Sequence, residues 1–201
     1  MLLIRERTIL MLERGEIIEI LSRMISEKRY QHSLGVEETA IVLAQRFGAN
    51  VYKASIAGLV HDCAKNISRV ERETLLEKYH IVPDEVSKQE PELLHGVLGA
   101  ALARDIFNIN DEEILSAIVY HTTGKAYMNT LEKIIYLADL IESGRDYPGV
   151  HEIREKALTN LDDALLLSLR NVMIYVLQKK CILHPRTVQA WNSLLLPNLH
   201  I

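Results

Sequence analysis

The chain predicts an all-α fold, a single compact helical domain with short helical extensions. Three observations carry that expectation. Apolar residues recur at helical spacing along almost the whole length, alternation of the β-strand kind is nearly absent, and Pro and Gly stand singly at joints rather than in linkers. At 201 residues, 48% of them hydrophobic and 25% charged, there is material for one substantial core and too little for two. Residues 1–15 are expected to form an N-terminal helical extension and residues 16–201 the main domain with its C-terminal helices.

The periodicity predicts helices over 16–26, 28–47, 51–65, 69–79, 91–107, 111–121, 130–143, 151–158, 161–181 and 187–196. Residues 1–14 read as a loosely attached amphipathic segment, and Met11 offers an alternative start. The helix over 28–47 carries His32, Val36, Thr39 and Leu43 on one stripe and stops at Gly48. Asn50 can cap the next, in which Ala54, Ala57 and Gly58 leave room for another backbone. Ser68 and Glu71 make a capping box for 69–79, Pro91 suits a first helical position, and Asn110 can cap 111–121. The apolar run Ile134 to Ile141 is interrupted by Asp139. Leu165, Leu166, Leu167 and Leu169, with Val172, Met173 and Val176, read as core or as a partner-helix face, which leaves a homodimer open. Thr187 can cap the last helix, behind a turn stiffened by Pro185.

A net charge of -4 argues against a nonspecific grip on nucleic acid, which needs a basic face. Two cysteines, Cys63 and Cys181, in no CxxC pair, indicate neither a disulfide framework nor a thiolate zinc site. No apolar run approaches the roughly 18 to 20 residues that span a bilayer, so no membrane association is expected. Arg5, Glu6 and Arg7 break any secretory apolar region, and the expected setting is the reducing cytoplasm.

The candidate chemistry lies in polar residues on apolar faces. His32 points inward on its stripe; His95 shares a face with Leu98, Gly99 and Leu102; Asp139 shares one with Ile135, Tyr136 and Glu142. His61 follows the small residues, with Asp62 about 100° further round the helix. A lone buried histidine is more often a satisfied core group than a ligand. Here two carboxylates and several imidazoles point inward with no evident arginine partners, and a buried carboxylate costs several kcal/mol unless compensated. A divalent metal would satisfy all of them, since neutral imidazole and carboxylate suit first-row transition ions.

The ordered set His32, then His61-Asp62, then Asp139, resembles the H...HD...D signature of the HD phosphohydrolase superfamily, with His95 and His121 where two-metal members place further histidines. Finer segments resemble the YqeK branch of that superfamily, symmetrical diadenosine tetraphosphate hydrolases. These are Arg29-Tyr30-Gln31-His32-Ser33, His61-Asp62-Cys63-Ala64-Lys65, His121-Thr122-Thr123-Gly124, Ala138-Asp139 leading to Glu142 through Gly149, and His184-Pro185-Arg186-Thr187 with Ala190, Trp191 and Asn192. The likeness runs from about Ile17 to Leu196.

The resemblance implies a divalent transition metal, iron, held by His32, His61, Asp62 and Asp139, with a second ion or the phosphates at His95 and His121. It implies nucleotide contacts from Cys63, Ala64, Lys65, Thr122 and Arg145 and from Ile182, Leu183, His184, Pro185, Arg186 and Thr187, and catalytic roles for Asp62, Lys65, His95 and His121. The implied reaction is symmetrical cleavage of diadenosine tetraphosphate to two ADP by hydroxide on the metal. The alternatives are another HD nucleotide phosphohydrolase or phosphodiesterase, or a metal-stabilised nucleotide sensor without turnover. Without the resemblance, Lys65, Arg145 and Arg186 read as solvated charges. His80, His151 and His200 read as exposed, and Cys63 as a small buried residue.

Overall fold

The computed structural model describes residues 12–196, so residues 1–11 of the expected extension over 1–15, and His200, lie outside the described residues. Among the described residues eleven α-helices follow one another: α1 (Arg14–Met24), α2 (Glu27–Phe47), α3 (Val51–Val60), α4 (Arg69–Lys78), α5 (Glu85–Gln89), α6 (His95–Phe107), α7 (Glu112–Tyr120), α8 (Thr130–Ile141), α9 (Val150–Ala157), α10 (Leu161–Gln178) and α11 (Pro185–Leu195). No strand occurs among the described residues. None of their helices is long and apolar enough to cross a membrane.

The inner shell is α2, α3, α6, α7 and α8, which pack around Val36, Ile56, Leu98, Ile118, Ile134 and Leu137. Two close approaches depend on missing side chains. A Cβ on Gly58 would meet the Cα of Glu37 at 3.0 Å, so α3 lies against the backbone of α2, as the small residues suggested. One on Gly96 would meet the carbonyl oxygen of Val119 at 2.6 Å, so glycine lets α6 close onto α7. A second, smaller cluster of Met128, Tyr136, Leu165, Leu169 and Ala190 fastens α10 and α11 to α8.

Several boundaries differ from expectation. The helix over 51–65 ends at Val60, and the chain continues through 61–66 as successive turns. The stretch 91–107 is broken, because Pro91–Leu94 is a 3-10 turn and the α-helix begins at His95. Asp111, not Asn110, caps α7, accepting the amides of Glu113 and Ile114. The short helix α5 was not anticipated. His184, not Thr187, caps α11, because Pro185 occupies its first turn and fixes the preceding residue as the cap.

Candidate metal centre

His61, His95 and His121 are built by one local device. Each immediately follows a helical segment, α3, the 3-10 turn and α7 respectively, and folds its ring back on that segment's last carbonyls. Nδ1 of His61 meets the Gly58 carbonyl oxygen at 2.7 Å, Nδ1 of His121 meets that of Ile118 at 2.7 Å, and Nδ1 of His95 meets that of Glu92. A carbonyl can only accept, so each Nδ1 carries the proton and each Nε2 presents a lone pair. His32, inside α2, reaches the same state differently: its Nδ1 lies 3.1 Å from Oε1 of the buried Glu142.

These lone pairs converge with the two aspartates. Nε2 of His32 is 3.0 Å from Asp139 Oδ1 and 4.0 Å from Asp62 Oδ2, and Nε2 of His61 is 3.8 and 3.6 Å from the same oxygens. Asp62 turns its other oxygen the opposite way, where Oδ1 lies 3.2 Å from His95 Nε2 and 3.5 Å from His121 Nε2. Those two nitrogens are 2.9 Å apart, and the Thr122 hydroxyl lies 3.1 and 3.0 Å from them. One hydroxyl proton cannot satisfy both.

The arrangement fits a metal ion on its own geometry. Buried His61 Nε2 and Asp62 Oδ1 have no hydrogen-bond partner, although an unpaired buried polar group costs about 1–3 kcal/mol and a charged one more. Donor atoms of His32, His61 and Asp139 lie within 4.8 Å of one another, as do those of His61, Asp62 and His121. Neutral imidazoles and carboxylates facing a common point, with their other nitrogens tied back, are the donor set of a divalent transition ion. This buried group is compatible with a divalent metal ion.

The electrostatics keep the carboxylates charged. Burial pushes Asp139 and Asp62 up, but positive charge on the surrounding rings outweighs it and holds both well below the ordinary carboxylate range, a charge that a bound cation would supply where the rings are neutral. Burial also acts on His95, with Lys65 and His121 adding to it, and lowers its affinity for a proton against the pull of Asp62. The thiol of Cys63 is pushed up to about 12 by burial and by Asp62, which suits a packed residue and not a nucleophile.

Two arginines also enter the cluster. Arg29 Nη1 donates to Asp62 Oδ2 at 2.6 Å, and Arg145 donates through Nη2 to Asp139 Oδ1 and through Nε to the Asp139 carbonyl oxygen at 2.7 Å. The expectation that the aspartates lack arginine partners is therefore corrected. Both arginines sit on the oxygens that face His32 and His61, and Arg145 Nη2 also lies 3.4 Å from His32 Nε2, whereas Asp62 Oδ1, toward His95 and His121, carries no arginine. Behind Arg145, Arg154 donates to the carbonyl oxygens of Ile141, Glu142 and Arg145 at 2.8, 2.7 and 2.7 Å, which fixes the segment after α8.

The remaining sequence candidates separate into two groups. Lys65 Nζ is 3.3 Å from His95 Nδ1, whose proton is committed to Glu92, so the ammonium is a charge neighbour of the ring and keeps its own protons free. Cys63 and Ala64 are buried beside Asp62. The segment Ile182 to Thr187 is joined to this region through Thr187, whose hydroxyl donates to the Thr123 carbonyl oxygen at 2.9 Å. His184 accepts the Arg186 amide at Nδ1 and meets Asp84 Oδ2 through Nε2 at 3.2 Å. Arg186 lies 3.5 Å from the same carboxylate oxygen with its guanidinium over the Tyr120 ring, Pro185 and Ile182 are exposed, and Leu183 is half-buried.

Residues 29–144 match the family model described as HD domain. The chain is 40% identical over 185 residues to a protein of Halalkalibacterium halodurans named Bis(5'-nucleosyl)-tetraphosphatase, symmetrical, an alignment covering 92% of this chain and 98% of that one. A Bacillus subtilis protein of the same name is 40% identical over 183 residues, covering 91% and 98%. A crystal structure from Clostridium acetobutylicum, described as a predicted HD superfamily hydrolase involved in NAD metabolism, superposes with a TM-score of 0.90 at 41% identity, covering 93% of this chain and 99% of that one. With its family model spanning the clustered histidines and aspartates, and full-length relatives of one name on either side, the chain belongs to the HD domain family, on the branch of the symmetrical bis(5'-nucleosyl)-tetraphosphatases.

Proposed function

We propose that this chain hydrolyses dinucleoside polyphosphates and cleaves diadenosine tetraphosphate symmetrically into two ADP. The observation that carries the reading is the two-sided Asp62, with one oxygen toward His32 and His61 and the other toward His95 and His121. The names of the relatives supply the substrate class. His32, His61, Asp62 and Asp139 would hold the first ion, a divalent transition metal by their imidazole and carboxylate donors and iron by the family resemblance, and His95 and His121 a second ion or the phosphates. Such an ion supplies charge neutralisation and a nucleophile from water at neutral pH.

The chain's own groups set the position of the phosphates. Lys65, with three free donors beside His95, and Arg145, anchored on Asp139, stabilise charge on the phosphate oxygens. The oxygen of water bonds to an inner phosphorus, the bond from that phosphorus to the central bridging oxygen breaks, and ADP departs with the electron pair. The other ADP carries the oxygen from water. The leaving phosphate has a second pKa of about 6, so no separate general acid is required.

On this reading the Ile182 to Thr187 segment fixes the distance from nucleoside to inner phosphorus. The hollow beside His184 and Arg186 is only about 50 Å³, so a nucleoside on this side rests against the half-exposed Ile182 and Leu183 and not inside that hollow. Turnover in heavy-oxygen water with iron and chromatography of the initial products tests the proposal: ADP alone, with label in one of each two molecules, is expected. ATP with AMP overturns the symmetrical assignment, and no cleavage overturns the activity.

A further inference from the structure

A tetraphosphate with two nucleosides has two ends, and the residues assigned so far hold one. The hollow beside Lys65 and His95 is about 10 Å³. Two larger hollows, of about 490 and 550 Å³, lie against Cys63 and Tyr120 and are lined by none of the clustered histidines and aspartates. A cavity of about 760 Å³ does reach the cluster, opening on His32 between the start of α2 and the segment after α8. None of Lys65, His95, Thr122 or the Ile182 to Thr187 segment lines it. Its size falls in the range of sites for small organic ligands, about 300–1,000 Å³.

The lining is graded from inside to outside. At the inner end are His32, Arg29 and Arg145, with each guanidinium already on one cluster carboxylate. A guanidinium has five N–H donors in a planar fork, so both arginines keep donors for a phosphate after those contacts. Farther out are the exposed Lys28 and Gln31 on the first turns of α2, and Tyr147, whose hydroxyl donates to the Leu140 carbonyl oxygen at 3.0 Å. With its hydroxyl tied down, the Tyr147 ring is a fixed aromatic wall. Of the acids around the cavity, Glu142 is committed to His32 and Gly144, and only Glu38 and Asp146 are exposed at the rim.

We propose that this cavity is the site of the departing nucleoside diphosphate, its phosphates passing Arg29 and Arg145 and its nucleoside lying between Lys28, Gln31 and Tyr147. The inference rests on the dinucleoside polyphosphate reading above and extends it. The substrate then runs through the cluster, entering past Lys65 and His95 and leaving past His32. Specificity for a second nucleoside, as opposed to a bare polyphosphate, resides at the outer rim. Departure needs no movement of the held half, because the two halves occupy opposite sides.

The test compares diadenosine tetraphosphate with adenosine tetraphosphate, which offers the same held half but expels pyrophosphate. The variant is Lys28→Glu, at an exposed position in the first turn of α2, where an acidic side chain suits the helix. It should lower kcat/KM for diadenosine tetraphosphate roughly three- to tenfold, the size expected for reversing one exposed charge. Adenosine tetraphosphate, measured as substrate or as competitive inhibitor if it is not cleaved, should change less than about twofold. Tyr147→Ala should show the same selectivity with bound iron unchanged. Equal effects on both nucleotides, or no effect on either, overturn the cavity assignment while leaving the activity in place. Failure of the unaltered protein to make two ADP overturns the functional reading itself, and this inference with it.

Discussion

Oε1 of Glu142 lies 3.1 Å from Nδ1 of His32, on the side of the ring away from Asp139. The carboxylate thereby fixes the tautomer that presents Nε2 to the cluster. Its other oxygen accepts the Gly144 amide, and a Cβ at Gly35 would come within 2.7 Å of it, so the surroundings are shaped to hold it. Partners of this kind contribute about 10- to 100-fold to metal affinity. Glu142→Ala should lower affinity by that order in a competitive chelator titration, and Glu142→Gln, which keeps an acceptor oxygen, should restore part of it. Unchanged affinity in both would show that His32 needs no such support.

Asp62→Ala should lose bound metal and activity together, because Asp62 faces both halves of the cluster. Stability supplies an independent readout. A ligand at 100 times its Kd stabilises by about 2.7 kcal/mol, so chelation should lower the melting temperature of the unaltered protein and leave that of the variant unmoved. Full turnover by verified metal-free protein would contradict the metal assignment.

Away from the cluster, Arg14 clamps α1 onto α2 by donating from Nε and Nη2 to the two carboxylate oxygens of Glu37 at 2.6 and 2.8 Å. Glu37 is 1% exposed and has one further partner, the Ser55 hydroxyl. Arg14→Ala would strand a buried carboxylate, and urea unfolding should show a loss of about 2 kcal/mol. A loss within about 0.5 kcal/mol would mean that water replaces the guanidinium.

Asp84 links α5 to the segment before α11. Burial tends to raise its pKa, but the Ser87 amide and then His184 outweigh burial and bring the group from 3.8 down to about 2. A carboxylate lowered on folding stabilises fully above its unfolded value, and that stabilisation fades as pH falls through the folded value. The melting-temperature gap between the unaltered protein and Asp84→Asn should thus be constant above about pH 5 and shrink between about 4 and 2. A gap that does not depend on pH would remove the charge from this account.

The cluster was legible to the extent that its members lie on apolar stripes. His32 with Val36 and Leu43, and Asp139 with Ile135 and Tyr136, signal their direction through neighbours three and four residues away. Arg29 gave no such signal, because a basic residue in the first turn of a helix reads as solvated and its partner Asp62 is 33 positions away. Glu142 could be placed on the face of Asp139, yet its pairing with His32 spans 110 positions. The five-residue α5 is too short to show a period, and in the turns after Val60 the residues Cys63 and Ala64, with no Gly or Pro among 61–66, give no stop signal to end the expected helix. At the last helix, Pro185 carried more information about the cap than the hydroxyl of Thr187.

The position of His61 and His121 at the C-terminal ends of α3 and α7 also gives the cluster a field of its own. Asp139 lies in the last turn of α8, so a third helix ends there. A helix carries the equivalent of about half a negative charge at that end, and each such end favours a nearby cation by about 0.3–1 kcal/mol, or up to about 2 where partly buried. The ends of α3 and α7 thus contribute backbone charge that favours a cation, whereas at α8 Arg145 and Arg154 already meet the carbonyl oxygens of Asp139, Ile141 and Glu142. A chain stripped of Asp62 keeps this backbone charge and lacks the ligand that holds an ion in place.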